Sequence, residues 1–307
     1  MSARYEVLVY GPLFCDLIFA DLPSMPSLGQ EIFAGDFAIA PGGSAIVAVA
    51  LHRLGVRVGL IADLGSDPLS RLIGEMLREA GLDLALIREH PHPLPQITMA
   101  LSFPHDRAFV TRFETPDRPI DLAATLRANP ARHLHISSFL AAFAVPDAAA
   151  TARAAGMSVS FDPGWDADAL RDPRLRAVLR DVDVFLPSAV EVCQIAGLAD
   201  ADQALDCLIQ EMAHGLIVMK QGKSGATART RSQHVHMPAL AVTPVDTTGA
   251  GDAFDAGFLY AYLRSLPLND CLRYGNVCGA LATTALGGAS AVPTRQEVAQ
   301  WLSRLPS

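Results

Sequence analysis

Short apolar segments alternate with helical segments through the middle of the chain, and this alternation constrains the fold more than any other feature. Five strand-like runs occupy residues 58–62, 133–136, 159–162, 184–187 and 215–219. Helical segments that follow a proline or end at a glycine separate several of them. Parallel strands joined by helices are buried on both faces. The pattern therefore predicts an α/β fold with a mostly parallel sheet covered by helices on each side.

Length and composition allow a large core and exclude several classes of function. The chain has 307 residues, of which 50% are hydrophobic and 18% are charged, and its net charge is -8. Without a basic patch it is expected to bind no nucleic acid. No apolar run approaches the roughly 20 residues of a membrane helix, and no signal core begins the chain, so a cytoplasmic protein that binds no membrane is expected. The five cysteines show no metal-binding spacing.

The string DTTGAGDAF at residues 246–254 carries the clearest chemical signal. It lies between an apolar segment, 240–245, which we predict to be a strand, and a helix. Gly249, Ala250 and Gly251 leave the amides at the helix start uncovered, and the helix dipole favours an anion there. Asp252 follows in the first turn, where a carboxylate can take a proton from a hydroxyl that attacks a phosphate. The alternative is a tight turn followed by an acid that the dipole favours.

This string resembles the C-terminal signature of the ribokinase-like family, also called the PfkB carbohydrate kinases. The resemblance implies that Asp252 is the catalytic base and that the N–H groups of residues 249–251 form an anion hole for the transferred phosphoryl group. Further stretches match the family in order from Gly11 to Pro293. The implied fold is a single three-layer α/β/α domain over residues 1–307, with a small β-sheet lid inserted in it.

The lid is expected from two segments, at about residues 17–40 and 97–114. The second resembles a hairpin joined across His105 and Asp106. In the family the matching segments cover the acceptor, and in several members they also form the dimer contact, so the resemblance implies a homodimer through the lid. An ordinary pair of surface hairpins is the alternative.

On the acceptor side, the resemblance implies that Asp16 holds the hydroxyl groups of the sugar. We predict it in a loop just beyond a first strand at residues 5–10, at the edge of the sheet where ligands bind. Ser138 and Asp162, which follow two later strands, are further candidates for the pocket. A turn residue or helix cap is the alternative for Asp16, and a capping group for Ser138.

Gly42 and Gly43 match the N-terminal signature of the family, in which a glycine pair approaches the sugar. We predict that residues 41–43 open a helix that runs to about residue 54. The family has an asparagine a few residues later that bonds the sugar. Ile46 or Val47 falls near its place here, and an apolar side chain cannot supply that contact.

On the nucleotide side, the resemblance implies an ATP site with Mg²⁺. The residues matched to the nucleotide positions are Ser188, Lys220, Gly222, Thr247 and Asn276. Glu191 matches a glutamate that orients the water shell of Mg²⁺, which keeps several of its waters when bound. Ser188 stands where the family has asparagine. The alternatives are surface roles for the lysine and the glutamate and helix packing for the asparagine.

A monovalent cation site beside the anion hole is also implied. Its matched residues are Asp246, Thr248, Ala282, Ala285 and Gly287. Ala291 stands where some members supply a serine hydroxyl, so one ligand is missing, and we predict weak or moderate stimulation by K⁺.

The sequence therefore predicts an ATP-dependent kinase that phosphorylates a primary hydroxyl of a sugar or sugar-like small molecule. A nucleoside kinase of the same fold is one alternative, and a relative that binds a metabolite without turning it over is another, because signature asparagines are replaced. No GxGxxG follows the first strand with an acid about 20 residues later, which argues against a dinucleotide-dependent oxidoreductase.

Overall fold

The computed structural model describes residues 3–103, 107–213 and 215–304. The strands are β1 (Val7–Tyr10), β2 (Leu13–Ala20), β3 (Asp36–Gly43), β4 (Val58–Leu64), β5 (Ile87–Glu89), β6 (Gln96–Ser102), β7 (Arg107–Phe113), β8 (His133–Ile136), β9 (Ser158–Phe161), β10 (Val184–Phe185), β11 (Leu216–Lys220), β12 (Ala226–Arg229) and β13 (His234–Met237). The helices are α1 (Ser44–Arg53), α2 (Pro68–Glu79), α3 (Leu122–Ala128), α4 (Phe139–Ala144), α5 (Ala148–Ala154), α6 (Ala167–Arg171), α7 (Pro173–Val178), α8 (Ala189–Ala196), α9 (Ala201–Leu208), α10 (Ala250–Tyr262), α11 (Leu268–Ala282) and α12 (Arg295–Leu302).

The main sheet confirms the predicted parallel topology. Among the described residues its nine strands follow the order β13-β12-β11-β10-β9-β8-β1-β4-β5. Strands β11 to β5 in this order pair in parallel, whereas β12 and β13 are antiparallel additions at one edge. The carboxyl ends of the parallel strands therefore meet along one edge, where the loops gather the candidate site residues.

Helices cover both faces of this sheet, so the predicted three-layer arrangement is confirmed. Successive side chains of β1 enter opposite cores, because side chains alternate across a strand. Val7 and Val9 pack with α1, α2, α10, α11 and α12 on one face. Leu8 and Tyr10 pack with helices α3 to α9 on the other. No helix in the described part of the chain is both long enough and apolar enough to cross a membrane.

A second sheet, with the order β3-β2-β6-β7, forms the predicted lid. Strands β2 and β3 extend beyond the first expected segment at both ends, since Leu13 pairs with Gly43 and Ala20 with Asp36. Asp16 is therefore part of β2, and its predicted loop position is wrong. The glycine pair completes β3 and the helix starts at Ser44, which corrects the expected helix start. The turn at His105 and Asp106 lies outside the described residues.

The apolar segment 240–245 is not a strand, contrary to the sequence prediction. Pro238 and Pro244 lack the N–H group that a sheet ladder needs. The segment instead reaches the signature as irregular chain, where the N–H groups of Val245 and Asp246 donate to the carbonyl of Thr283 at 2.7 and 3.2 Å. The turn before α10 is therefore held by the end of α11.

Candidate active site

The start of α10 forms the turn that the sequence predicts as an anion hole. Gly249 has φ of 72° and ψ of 6°, in the left-handed region that favours glycine. A β-carbon there would lie 3.0 Å from the Ile46 side chain and 3.4 Å from the Cα of Gly288. The Ala250 N–H donates to the Thr247 carbonyl at 3.3 Å, so one weak bond closes the turn. The turn thus presents the amino end of a 13-residue helix without a covering side chain.

The structure brings Asp252 and Asp16 together at this turn. Asp16 reaches it from the lid strand β2 and is only 5% exposed. Burial, followed by the negative charges of Asp252 and Asp246, raises the pKa of Asp16 to about 7. Because a charge effect of this kind falls off with distance, the predicted base and the predicted acceptor ligand lie near each other.

Two glycines let the lid strand approach this closely. A β-carbon on Gly42 would stand 2.1 to 2.2 Å from the carboxylate atoms of Asp16. A β-carbon on Gly43, whose φ is 60°, would lie 2.5 Å from the carbonyl oxygen of Pro12. Gly42 therefore packs directly against the Asp16 carboxylate, and Gly43 packs against the Pro12 carbonyl, at the start of α1.

Ile46, near the place of the missing asparagine, is 3% exposed and contacts the anion-hole turn instead of solvent. Its Cδ1 would be 3.0 Å from a β-carbon on Gly249 and 3.7 Å from one on Gly288. It supports the two glycine turns with an apolar contact and offers no hydrogen bond to an acceptor.

Lys220 and Asp162 meet beside the anion hole in a buried ion cluster. The Lys220 Nζ lies 2.6 Å from Asp162 Oδ2 and 3.0 and 3.2 Å from the two oxygens of Asp255. A β-carbon on Gly251 would be 3.5 Å from the same ammonium. Sequence reasoning missed Asp255, although an aspartate on an otherwise apolar stretch of α10 is itself a signal.

The charges around Asp252 act in opposite directions. Burial and, after it, the charge of Asp162 raise the pKa of Asp252, Lys220 and Arg107 lower it, and the net value is about 7. A carboxyl that titrates near neutral pH can hold or release a proton at little cost, as a general base must.

Arg107, at the start of β7, is a second functional candidate that the sequence analysis missed. Its guanidinium donates to the hydroxyl of Thr247 in the signature. In the lid, β7 pairs with β6 so that Arg107 lies opposite Ser102 and Thr111 opposite Thr98. Strand β6 in turn pairs with β2, which places Thr98 opposite Asp16. Period-two alternation therefore places Arg107 and Asp16 on the same, inner face of the lid. The signal in the sequence is an arginine at the start of the predicted second hairpin strand.

Ser188 and Glu191 form a capping box at the start of α8. The Ser188 N–H donates to Glu191 Oε2 at 2.6 Å, and the Glu191 N–H donates to Ser188 Oγ at 3.3 Å. Glu191 is 8% exposed. Burial, followed by the charge of Asp162, raises its pKa to about 7, while Lys220 opposes this. The glutamate is therefore held toward the ion cluster and is not on the solvated surface.

One predicted cation ligand, Thr248, carries an orphaned polar atom. The Thr248 Oγ1 is buried and has no hydrogen-bond partner in the described part of the chain. Asp246 is 2% exposed and accepts from the N–H groups of Thr248 at 2.9 Å and Gly287 at 3.2 Å. Ala282 ends α11 and Ala285 lies in the turn that follows it. A buried hydroxyl oxygen beside a buried carboxylate fits the oxygen ligands that a hard cation takes.

For three predicted residues the structure shows, over the ranges it describes, no hydrogen bond to the other candidate site residues above. The Asn276 amide donates to the carbonyls of Met237 and Pro238 at 3.1 and 3.0 Å, so it ties α11 to the chain after β13. Ser138 caps α4 by accepting from an N–H at 3.4 Å. Gly222 is exposed, with φ of 55° and open space around it.

A cavity of about 150 Å³ lies beside the base of the lid. Gly11, Pro12, Gln96, Phe113 and Leu140 contribute to its walls. Gln96 and Phe113 are paired lid residues, and Phe113 lies 5.9 Å from the Phe14 ring of β2. A larger concavity of about 590 Å³ lies on the lid away from these residues, and none of the candidate site residues lines either space.

Comparisons with known proteins identify the family of the chain. The family model described as pfkB family carbohydrate kinase matches residues 6–295. A fructokinase from Klebsiella pneumoniae is 33% identical over 282 residues, covering 84% of this chain and 90% of the relative. An ATP-dependent ribose-1-phosphate kinase from Halopiger xanaduensis is 31% identical, covering 85% of this chain and 86% of the relative.

Solved structures show the same fold. A fructokinase with bound ATP from Xylella fastidiosa superimposes with a TM-score of 0.82 at 24% identity, covering 98% of this chain and 99% of that one. Uncovered helix amides, a buried carboxyl at the helix start and a carboxylate from a lid strand are thus found on a ribokinase-like fold. The chain belongs to the pfkB family of carbohydrate kinases, which are phosphotransferases with an alcohol group as acceptor.

Proposed function

We propose that the protein transfers the γ-phosphoryl group of ATP to a primary hydroxyl of a sugar or sugar-like small molecule, with Asp252 as general base. One arrangement carries this proposal: the buried Asp16 carboxylate from the lid packs on Gly42 at the start of α1, and Ile46 of that helix packs on Gly249, in the turn that Asp252 follows. The arrangement brings a hydroxyl-binding carboxylate, a base and an anion site into one cleft.

The proposed reaction is a single in-line displacement. Asp252 takes the proton of the acceptor hydroxyl as that oxygen attacks the γ-phosphorus, and the bond from this phosphorus to the β-γ bridging oxygen breaks. ADP leaves with the electron pair of that bond. The amides at the start of α10 and the Lys220 ammonium stabilise the negative charge on the phosphoryl oxygens.

Glu191 fits a supporting role toward Mg²⁺. In residues 3–103, 107–213 and 215–304, no group of three or more His, Cys, Asp or Glu side chains is placed to hold a metal ion. We therefore infer that Mg²⁺ arrives with the nucleotide, whose phosphate charge it neutralises, and that Glu191 contacts its water shell. One oxygen of Glu191 is committed to the Ser188 N–H, which fixes the carboxylate for that contact.

The acceptor side has one polar contact fewer than the family pattern implies. Ile46 removes the amide that other family members are expected to offer, so Asp16 is the principal hydroxyl ligand in our proposal.

An acceptor panel tests the function. ADP release would be measured with ATP, Mg²⁺ and K⁺ against fructose, ribose, ribose 1-phosphate, sugar acids and nucleosides. We expect turnover with one class of sugar or sugar derivative and little with nucleosides. A nucleoside as best substrate would replace the sugar assignment with nucleoside kinase. ATP consumption with none of the compounds, combined with tight binding of one of them, would favour the metabolite-binding alternative.

We expect K⁺ to stimulate the kinase weakly to moderately. The physical reason is the orphaned Thr248 hydroxyl beside Asp246, which a cation would satisfy while ordering the anion-hole turn. KCl and tetramethylammonium chloride would be titrated at constant ionic strength. The Thr248→Val variant, which keeps the shape but loses the oxygen, should lose the K⁺ response. An equal response in this variant would contradict a site at Thr248.

We also propose a homodimer through the outer face of the lid tip. Phe19, Phe37, Met99 and Val110 share that face by the strand register, and Phe37 and Val110 are 47% and 61% exposed. Phe33 of the connecting loop is 79% exposed beside them. Apolar side chains clustered on one exposed sheet face are typical of a protein interface.

The Phe37→Asp variant should therefore be monomeric. A charge in the centre of an apolar contact costs several kcal/mol of association, so the dimer constant should weaken by roughly 10²-fold or more. Light scattering coupled to size exclusion measures the mass of each variant. Leu266→Asp, at an exposed apolar residue outside the lid, is the control that should leave the mass unchanged. A wild-type protein that is monomeric at high micromolar concentration would contradict the lid dimer.

A further inference from the structure

Asp255 is a fully buried carboxyl that the reaction proposed above does not use. It is 0% exposed and lies on α10 one turn after Asp252. Both of its oxygens are within 3.2 Å of the Lys220 ammonium. Burial raises the pKa of Asp255 well above its ordinary value, whereas Lys220 lowers it. Burying a carboxyl costs free energy of folding unless the group is paired and hydrogen-bonded.

The cluster joins three structural elements at one point. Lys220 ends β11, Asp162 follows β9, and Asp255 comes from α10. The Asp162 carboxylate is itself fixed, since its Oδ1 accepts from the Gly164 N–H at 2.9 Å. Lysine has a flexible four-carbon stem, so an ammonium held by a single partner can occupy several positions. Two carboxyls on different elements restrict it to one.

The Lys220 ammonium is held behind the anion hole, next to Gly251. A β-carbon on Gly251 would be 3.5 Å from Nζ and 3.9 Å from Cε of Lys220. The charge of Lys220 also reaches Asp252, whose pKa it lowers against the larger effect of burial. Burial alone would lower the pKa of Lys220, but Asp162 and Asp255 raise it, so the lysine stays charged. The ammonium therefore flanks the phosphoryl position and also favours the ionised base.

Stability alone gives a poor account of this cluster. Replacing buried ion pairs with apolar side chains is often neutral or stabilising. Here two carboxyls surround one ammonium, with Glu191 and Asp252 nearby, so the region carries more potential negative charge than positive charge. An arrangement built only for packing would not place two buried carboxyls on one buried lysine.

We propose that Asp255 is a positioning residue for phosphoryl transfer: with Asp162 it fixes the Lys220 ammonium against Gly251, where that charge stabilises the phosphoryl group in the anion hole. This rests on the function proposed above. Asp255 contacts neither the acceptor nor the nucleotide in this account and acts entirely through Lys220.

A double-mutant cycle tests the assignment. Lys220→Met should lower kcat by roughly 10²-fold, as loss of a transition-state charge contact does. Asp255→Leu should lower kcat by roughly tenfold with the acceptor KM changed less than about twofold, because transition-state contacts appear in kcat. In the Lys220→Met background, Asp255→Leu should cost less than about twofold more, since the residue has lost its partner. Multiplying losses would overturn the proposal.

Further variants separate positioning from folding. Asp255→Asn keeps one acceptor oxygen and should recover part of the Asp255→Leu loss, while Asp206→Asn, which removes an exposed pair with Arg229, should leave kcat unchanged. Thermal unfolding identifies variants that fail to fold. If Asp255→Leu fails to fold, the cycle uses Asp255→Asn instead. A kcat equal to that of wild type in both single variants, Asp255→Asn and Lys220→Met, would then overturn the proposal.

A binding readout keeps this proposal separate from the assignment of the acceptor. Isothermal titration with ADP and with the non-hydrolysable analogue AMP-PNP gives the affinity gained from the third phosphate. We expect that gain to fall by roughly tenfold in both Asp255→Leu and Lys220→Met. An unchanged gain in Asp255→Leu would contradict the positioning role even if no acceptor is turned over.

Discussion

Replacing Asp252 by Asn should lower kcat by roughly 10²- to 10⁴-fold, the range that general-base assistance supplies. Asparagine keeps the size of the side chain and its place in the first turn of α10, but it cannot accept the proton of the attacking hydroxyl. The KM for ATP should change little, because the helix amides and Lys220 remain. Coupled ADP release under saturating acceptor measures the loss.

The pH profile gives the same prediction a second readout. The wild-type kcat/KM should rise with pH through about 7, since burial raises the pKa of Asp252 and of Asp16 to about that value and both act ionised. The two carboxyls interact, so the rising limb belongs to the pair. Removing the charge of Asp252 lowers the pKa of Asp16, so the limb of the variant should move to lower pH.

A matched control exists on the next helix. Asp270 is the first-turn acid of α11 and pairs with Arg273 at 3.3 Å on the surface. Asp270→Asn removes a dipole-favoured acid without touching the cleft, so kcat should stay within about twofold. An Asp252→Asn variant with wild-type kcat would eliminate this residue as the base.

The main sheet could be predicted from sequence because its signals are local. Each parallel strand is a short apolar run, and β8 occupies the predicted residues 133–136. The apolar segment 240–245 shows the limit of that reasoning. Its composition fits a strand, but its prolines and the bonds to Thr283 place it outside the sheet. Apolarity alone does not provide a strand with a hydrogen-bonded neighbour.

The candidate site was predictable where a motif spans consecutive residues. The signature predicted the turn, the helix start and the position of Asp252. Asp255 and Arg107 were missed because their significance comes from residues far along the chain. Asp255 meets Lys220 from 35 residues earlier, and Arg107 meets Thr247 from 140 residues away. Asp16 was recognised, but its place in a strand depends on pairing with β3, which no local pattern specifies.

Replacing Asp16 by Asn should lower kcat/KM for the acceptor on the order of 10²-fold and make the protein more stable at pH 8. The activity falls because a charge-assisted hydrogen bond to the sugar is worth about 1.5–3 kcal/mol more than none. The stability rises because the wild-type fold must bury a carboxylate. Kinetics with varied acceptor, and separately varied ATP, should show the loss on the acceptor side alone.

The sign of the stability effect follows from linkage. Burial raises the pKa of Asp16 from 3.8 to about 7. Below the ordinary value both folded and unfolded chains hold the proton. Between about 4 and 7 the folded chain retains a proton that the unfolded chain loses, so stability falls as pH rises. The upper limit of this penalty is roughly 4 kcal/mol, and coupling to Asp252 reduces it.

Thermal unfolding of wild type and Asp16→Asn at pH 5 and pH 8 measures the effect. The variant should unfold several degrees higher at pH 8, at roughly 2–4 °C per kcal/mol, and its advantage should be smaller at pH 5. Asp36→Asn, at an exposed lid acid, should show neither change. A loss of activity together with a loss of stability at pH 8 would instead mean that the Asp16 carboxylate holds the lid strand in place. An unaltered acceptor KM and kcat would remove Asp16 from the acceptor site, because a carboxylate that costs the fold energy and binds nothing has no reason to be buried there.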